Sequence, residues 1–171
     1  ALEGDVCINY AGAEFYATEE YQKDFGGAYI LVPLANEYYD EEKNLKGFWD
    51  ESYTEPLFKL INNFIQTKTN GVSKKVVFGN SAGATMSFAM VNAYTDFFDA
   101  LIPNGSSDIP SDEILDEYDR NNVCLFFAYA KHDEFHSYEE EVLPRLSRLQ
   151  KMKHCFVFIP EWVYNGDGGI A

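Results

Sequence analysis

The sequence predicts an α/β fold of mostly parallel strands with helices on both faces of the sheet, incomplete at both ends. Short apolar runs alternate along the chain with segments of helical period, the pattern of a parallel sheet covered by its crossovers. One run, Lys74-Lys75-Val76-Val77-Phe78, passes directly into Gly79-Asn80-Ser81-Ala82-Gly83 and then into a helical stripe. The final run, Cys155-Phe156-Val157-Phe158-Ile159, is continuous in its apolarity and is stopped by Pro160.

The elements follow in order. Asp5–Tyr10 reads as a first strand, and Ala28-Tyr29-Ile30-Leu31-Val32-Pro33-Leu34, entered after Gly26-Gly27, as a stronger one. A polar excursion from Ala35 to Asp50 comes next. Ser52-Tyr53-Thr54-Glu55 has the form of a capping box, with Pro56 in the first turn. Leu57, Leu60, Ile61, Phe64 and Ile65 then fall on one helix face, which is expected to be buried. After the glycine motif, Met86, Met90 and Ala93, with Ala89 beside them, mark a second helix. Ala100–Pro103 is a strand leading into the loop Asn104–Ser107. Ser111 is placed to cap an acidic helix through Tyr118, and Val123–Phe127 is a central strand. Ser137-Tyr138-Glu139-Glu140 is a second capping box, and Val142, Leu143, Leu146 and Leu149 supply the face of its helix. No repeat or linker interrupts the 171 residues, so one domain is expected over 1–171.

Composition narrows the function classes. Hydrophobic residues make up 46% and aromatics 16%, enough for a packed core. Thirteen Lys and Arg against 28 Asp and Glu leave a formal charge of −15. That balance argues against nucleic acid and against an anionic membrane surface, which both demand clustered cations. No apolar stretch approaches the ~20 residues of a spanning helix. Cys7, Cys124 and Cys155 match no disulfide framework or zinc spacing, and the last two are expected to be small buried hydrophobes.

Chemistry concentrates at Ser81. A G-x-S-x-G sequence alone is a weak signal, because a glycine turn with a solvated serine fits it equally well. A strand before it and a helix after it make it a nucleophile elbow, with Ser81 on a tight turn above the strand ends. Gly79 and Gly83 are expected to give the room that strand and helix need to cross. The Ala82 N–H, at a helix N-terminus, is placed to donate to a developing oxyanion. The acid partner should follow a later strand, and Asp133 in Lys131-His132-Asp133-Glu134 is the first choice, with Glu134 its near competitor. The base is the difficulty. Only His132, His136 and His154 are present; the first adjoins the acid, the second lies near a helix cap, and the third starts the last strand at the end opposite the site. Tyr38, Tyr39, Phe48, Trp49, Tyr53 and Trp162 serve either as core or as walls of an acyl or sugar pocket.

Four stretches carry a family resemblance: Gln22–Pro33, Gly47-Phe48-Trp49, the Gly79–Gly83 elbow, and Asp96-Phe97-Phe98-Asp99-Ala100-Leu101-Ile102-Pro103. Together they resemble the polyhydroxybutyrate-depolymerase and feruloyl-esterase branch of the bacterial α/β-hydrolases, from about Tyr10 to Ile159. The resemblance implies a serine carboxylesterase with no cofactor or metal, acting on small-molecule or carbohydrate-linked esters. Its oxyanion hole would combine Ala82 with a second N–H at Gly12 or Ala11, in Tyr10-Ala11-Gly12-Ala13-Glu14, where the family's histidine is missing. Its base histidine has no counterpart before Ala171, so the chain is expected to be a fragment whose histidine lies outside it. An incomplete sheet is also expected to associate with further copies. A non-catalytic binding or structural domain and a serine peptidase of the same fold remain as alternatives. The sequence assigns no compartment.

Overall fold

A computed structural model describes residues 13–36 and 38–163. The predicted strand Asp5–Tyr10 and the oxyanion residue Gly12 lie outside the described residues. The chain divides into two compact units, one of Ala1–Phe48 with Pro56–Gly71, the other of Trp49–Glu55 with Val72–Ala171.

In the first unit, helices α1 (Ala13–Tyr16) and α2 (Glu19–Phe25) precede a hairpin of β1 (Tyr38–Tyr39) and β2 (Leu45–Lys46). The α2 start follows from Thr18, whose hydroxyl accepts from Tyr21 N–H, and its end from Gly26 at φ 67°. The hairpin arises inside the polar excursion. Asp40 accepts the N–H groups of Glu42 and Asn44, and Lys43 takes φ 64°. The stretch Ala28–Leu34 corrects its prediction as a strand. It joins no described ladder, and Tyr29, Ile30, Leu31, Val32 and Leu34 are exposed. A β-branched run needs a neighbouring strand to become sheet, and among the described residues none pairs with it.

Helix α3 (Thr54–Lys68) begins one step later than its sequence suggested. Asp50, rather than Ser52, caps a single 3₁₀ turn (Glu51–Tyr53) that leads into it, accepting the Ser52 N–H at 2.8 Å. The Ser52 hydroxyl itself donates to the Asp50 carboxylate, which draws it away from the N–H groups it was expected to cap. The predicted apolar stripe forms, yet only Leu57 on it is buried and Leu60 is 43% exposed.

The second unit is a four-stranded parallel sheet with helices, an α/β arrangement consistent with the predicted α/β-hydrolase type. Its elements are β3 (Val76–Asn80), α4 (Ala82–Ala93), β4 (Ala100–Asn104), α5 (Asp112–Asn121), β5 (Cys124–Ala128), α6 (Leu143–Leu149) and β6 (Cys155–Phe158). Strand order is β3-β4-β5-β6, each pair parallel, with Val76 opposite Ala100, Ala100 opposite Cys124 and Leu125 opposite Cys155. Because all four strands run the same way, every strand-to-helix loop opens at one end.

Leu101, Pro103, Leu125 and Phe127 fill one sheet face, together with Phe88, Met90 and Val91 of α4 and Leu115, Tyr118, Val142 and Leu149. Each such side chain contributes roughly 1.5–3 kcal/mol on burial. Val76, Phe78, Phe126, Phe156 and Phe158 alternate onto the other face and stay exposed, with the Phe126 and Phe156 rings stacked at 5.0 Å. That alternation corrects the expectation for Cys124, which is exposed among them, whereas Cys155 is half-buried. Helix α4 is buried nearly all round, since Met86 and Ser87 are covered as well.

Candidate active site

The turn at Ser81 is built by short-range geometry. Ser81 is the residue between β3 and α4, at φ 52° and ψ −122°, a conformation that strains any side chain with a Cβ. Such strain costs of order 1–3 kcal/mol and persists only where the surroundings enforce it. Here they do. The Ser81 N–H donates to Asn104 C=O of β4 at 2.9 Å, and its own carbonyl accepts from Ala84 and Thr85 N–H at 2.8 and 3.1 Å. Asn104 Nδ2 donates to Asn80 Oδ1 at 2.7 Å, tying the two strand ends together.

Gly79 has no substitute, because a Cβ there would lie 2.1 Å from the Gly83 carbonyl oxygen and 2.2 Å from its carbon. The same role expected of Gly83 does not hold. A Cβ on Gly83 meets nothing within 4 Å, since the crossing chain approaches only from the Gly79 side. Ser81 is exposed and its hydroxyl makes no capping bond to the helix. Ala82 opens α4, so its N–H belongs to the first turn, where no intrahelical acceptor exists. That N–H stands at the positive end of a 12-residue helix.

Asp133 stands at the same end of the sheet, in the loop after β5. Its Oδ1 accepts the backbone N–H groups of Phe135 at 2.9 Å and His136 at 3.1 Å, which fixes the carboxylate in its turn. One strand, β4, separates β3 from β5, so their ends lie roughly 10 Å apart at ordinary strand spacing. Glu134, the competitor, is exposed. Tyr129 underpins the loop: its buried ring places the hydroxyl to donate to His136 C=O at 3.0 Å. Burial, helped by the charges of Asp133 and Glu141, pushes its phenol up to about 12.

A second strand-end carboxylate, Asp108, was not singled out from the sequence. It follows β4, the strand next to Ser81's own, and accepts from Thr85 Oγ1 at 2.5 Å and Ser106 Oγ at 2.9 Å. Thr85 is four residues beyond Ser81 on the same helix, so the cluster sits one turn from the serine. The rule that pointed to Asp133, a carboxylate just past a strand's C-terminal end, identifies Asp108 equally well.

The histidines separate as follows. His154 immediately precedes β6, and its carbonyl accepts Leu125 N–H at 2.8 Å, at the sheet end away from the elbow. His132 stacks on Trp162 with ring centroids 4.1 Å apart and faces Glu161 at 3.6 Å. His136 Nδ1 lies 3.2 Å from Glu141, whose carboxyl is held below the usual carboxylate range chiefly by the hydrogen bond that Ser107 donates. Glu141 also accepts the Ser137 N–H at 3.2 Å, while Ser137 Oγ accepts from Glu140 N–H at 3.2 Å. The predicted capping box is therefore closed by Glu141 in place of Glu140, because the first turn (Tyr138–Val142) is wound as a π-helix and reaches one residue further.

Of the candidate aromatics, Tyr38 and Tyr39 are exposed on the β1–β2 hairpin. Trp49 meets Tyr53 edge-on at 5.0 Å and lines a cavity with residues of α4. Among the described residues no cluster of His, Cys, Asp and Glu could hold a metal ion, and no helix is long and apolar enough to cross a membrane.

Comparison with known proteins places little beside this geometry. No known family profile matches the chain, and no curated protein matches it. Among the solved structures it is similar to is a thermostable esterase, at 15% identity and a TM-score of 0.46. The match covers 66% of this chain and 30% of the esterase chain.

Proposed function

We propose that the chain is the nucleophile-bearing part of a serine ester hydrolase of the α/β-hydrolase type. The observation that carries this reading is the backbone of Ser81: a non-glycine residue at φ 52°, ψ −122°, held by Asn104 on a turn that only glycine at position 79 permits. A solvated serine in an ordinary turn has no need of such a conformation, whereas a nucleophile lifted above the strand ends does.

In this reading Ser81 Oγ attacks the ester carbonyl as a histidine takes its proton. Asp133 orients that histidine, and Ala82 N–H, with a second N–H at Gly12, stabilises the oxyanion. The alcohol leaves on reprotonation, and water then releases the acid by the same route. The histidine is proposed to lie outside residues 1–171, because His154 is at the far end, His136 is engaged by Glu141 and His132 is stacked on Trp162. The substrate is a small-molecule or carbohydrate-linked ester, as the resemblance to polyhydroxybutyrate depolymerases and feruloyl esterases implies.

The engagement of His132 and His136 and the distant place of His154 also motivate a second reading, a binding or structural domain that keeps the fold without the chemistry. Exposure to a fluorophosphonate probe and to p-nitrophenyl acetate separates the two, applied to this chain and to a version extended at both ends. Esterase activity in the extended form supports the hydrolase. An extended form inert to both reagents supports the binding domain, and activity on peptides in place of esters would make it a peptidase.

A further inference from the structure

A cavity of about 340 Å³ opens beside the first turns of α4, within the second unit. Its volume is in the range of small-molecule sites. Met86 and Phe88 form a buried apolar floor, and Trp49 supplies an aromatic wall. Thr85 lines it too, so the cavity begins one helical turn, ~5.4 Å, from Ser81.

The charges around it have one sign. Asp50, Glu51 and Asp108 line the cavity, and no Lys, Arg or His does. Elsewhere in the chain carboxylates find cations: Asp99 with Lys74 and Lys75, Asp112 with Arg145, Asp116 with Arg148, Glu161 with Lys131. Among the described residues, none of the three cavity carboxylates joins an ion pair. Asp50 is held ionised, its carboxyl drawn below the usual range by the Ser52 hydroxyl and N–H.

We propose that this cavity seats the cationic head of the substrate, a quaternary or tertiary ammonium on the ester that Ser81 attacks. The inference rests on the reading of Ser81 as nucleophile and adds the substrate class to it. An apolar floor favours a weakly hydrated cation over a compact, strongly hydrated one. The Trp49 ring attracts such a cation through its negative face, and the carboxylates supply the countercharge.

The test is a binding titration that does not depend on turnover. Trp49 is one of two tryptophans, so Trp162→Phe leaves it as the sole indole reporter. Choline and its neutral carbon analogue, 3,3-dimethylbutan-1-ol, are titrated against this variant by fluorescence, with calorimetry on the unmodified chain as the second measurement. The expected result is saturable binding of choline at least tenfold tighter than the analogue. Glu51→Gln with Asp108→Asn should weaken choline at least fivefold and leave the analogue unchanged, in protein whose circular dichroism is native. Equal affinities, or no heat and no quench with choline, overturn the proposal. Repeating the titration in Ser81→Ala separates the two claims: choline should bind there unchanged, while failure of fluorophosphonate labelling in the extended protein would count against the nucleophile and leave the cavity result standing.

Discussion

The elbow at Ser81 and the acid loop around Asp133 open at the same end of one sheet, but different forces hold them. At the elbow, residues 79–85 fix most of the backbone among themselves, Gly79 against Gly83 and the first turn of α4 on the Ser81 carbonyl, with a single clamp across the sheet from Ser81 to Asn104. The acid loop is fixed by contacts spread through the chain. Tyr129 reaches His136, Glu141 reaches Ser107, and Lys131 reaches Glu161. The elbow is thus a matter of local stereochemistry, whereas the loop depends on how distant side chains pack and pair.

The largest expected effect breaks the elbow. Gly79→Ala drives a Cβ into the Gly83 backbone, which cannot give way as a flexible side chain would. A loss of about 3 kcal/mol or more is expected in urea unfolding. Gly83→Ala is the control at the other end of the motif. With open space and a helical position, it should stabilise by roughly 0.5–1 kcal/mol. If both alanines destabilise alike, the asymmetry drawn between the two glycines is wrong.

Ser81→Gly sharpens the strain argument from the opposite side. Relief of the φ 52° conformation should raise stability by about 1 kcal/mol while abolishing reaction with any serine-directed probe. A fall in stability would mean that the serine side chain contributes packing that outweighs the strain.

In the acid loop, Asp133→Asn keeps an oxygen for the Phe135 and His136 N–H donors, so the fold should change by under about 1 kcal/mol. Esterase activity of the extended protein is nonetheless expected to drop ~10³–10⁴-fold. Asp108→Asn, measured beside it, should cost far less activity; the reverse order would transfer the acid role to Asp108.

The smallest effect concerns alkaline pH. Tyr129 has a folded-state value of about 12 against 10.0 ordinarily, raised mainly by burial. The folded state therefore keeps a proton that the unfolded chain releases. The stability this represents is intact below pH ~10 and is lost as pH rises towards 12. Tyr129→Phe should flatten that limb of the stability–pH curve, at a cost of about 1 kcal/mol near neutrality for the lost bond to His136.

The same contrast explains what could be read in the sequence. The strands β3 to β6, the elbow and the Asp133 loop were legible, because apolar periodicity and glycine spacing encode local conformation. The fate of Ala28–Leu34 was not, since a strand-like run becomes a strand only when another chain segment pairs with it. The exposure of Cys124 escaped for a related reason: sequence gives the alternation along β5 and not which face is covered. Asp108 was legible in principle. It obeys the strand-end rule used for Asp133, but its loop begins with Asn104-Gly105-Ser106-Ser107 and reads as a simple turn.

The central claim is that Ser81 is a nucleophile, and covalent labelling tests it most directly. The extended protein is treated with a fluorophosphonate and the adduct is located by peptide mass spectrometry. A single adduct on Ser81, absent in Ser81→Ala, is the expected result. An adduct at any other residue, labelling that survives Ser81→Ala, or no labelling at all would contradict it.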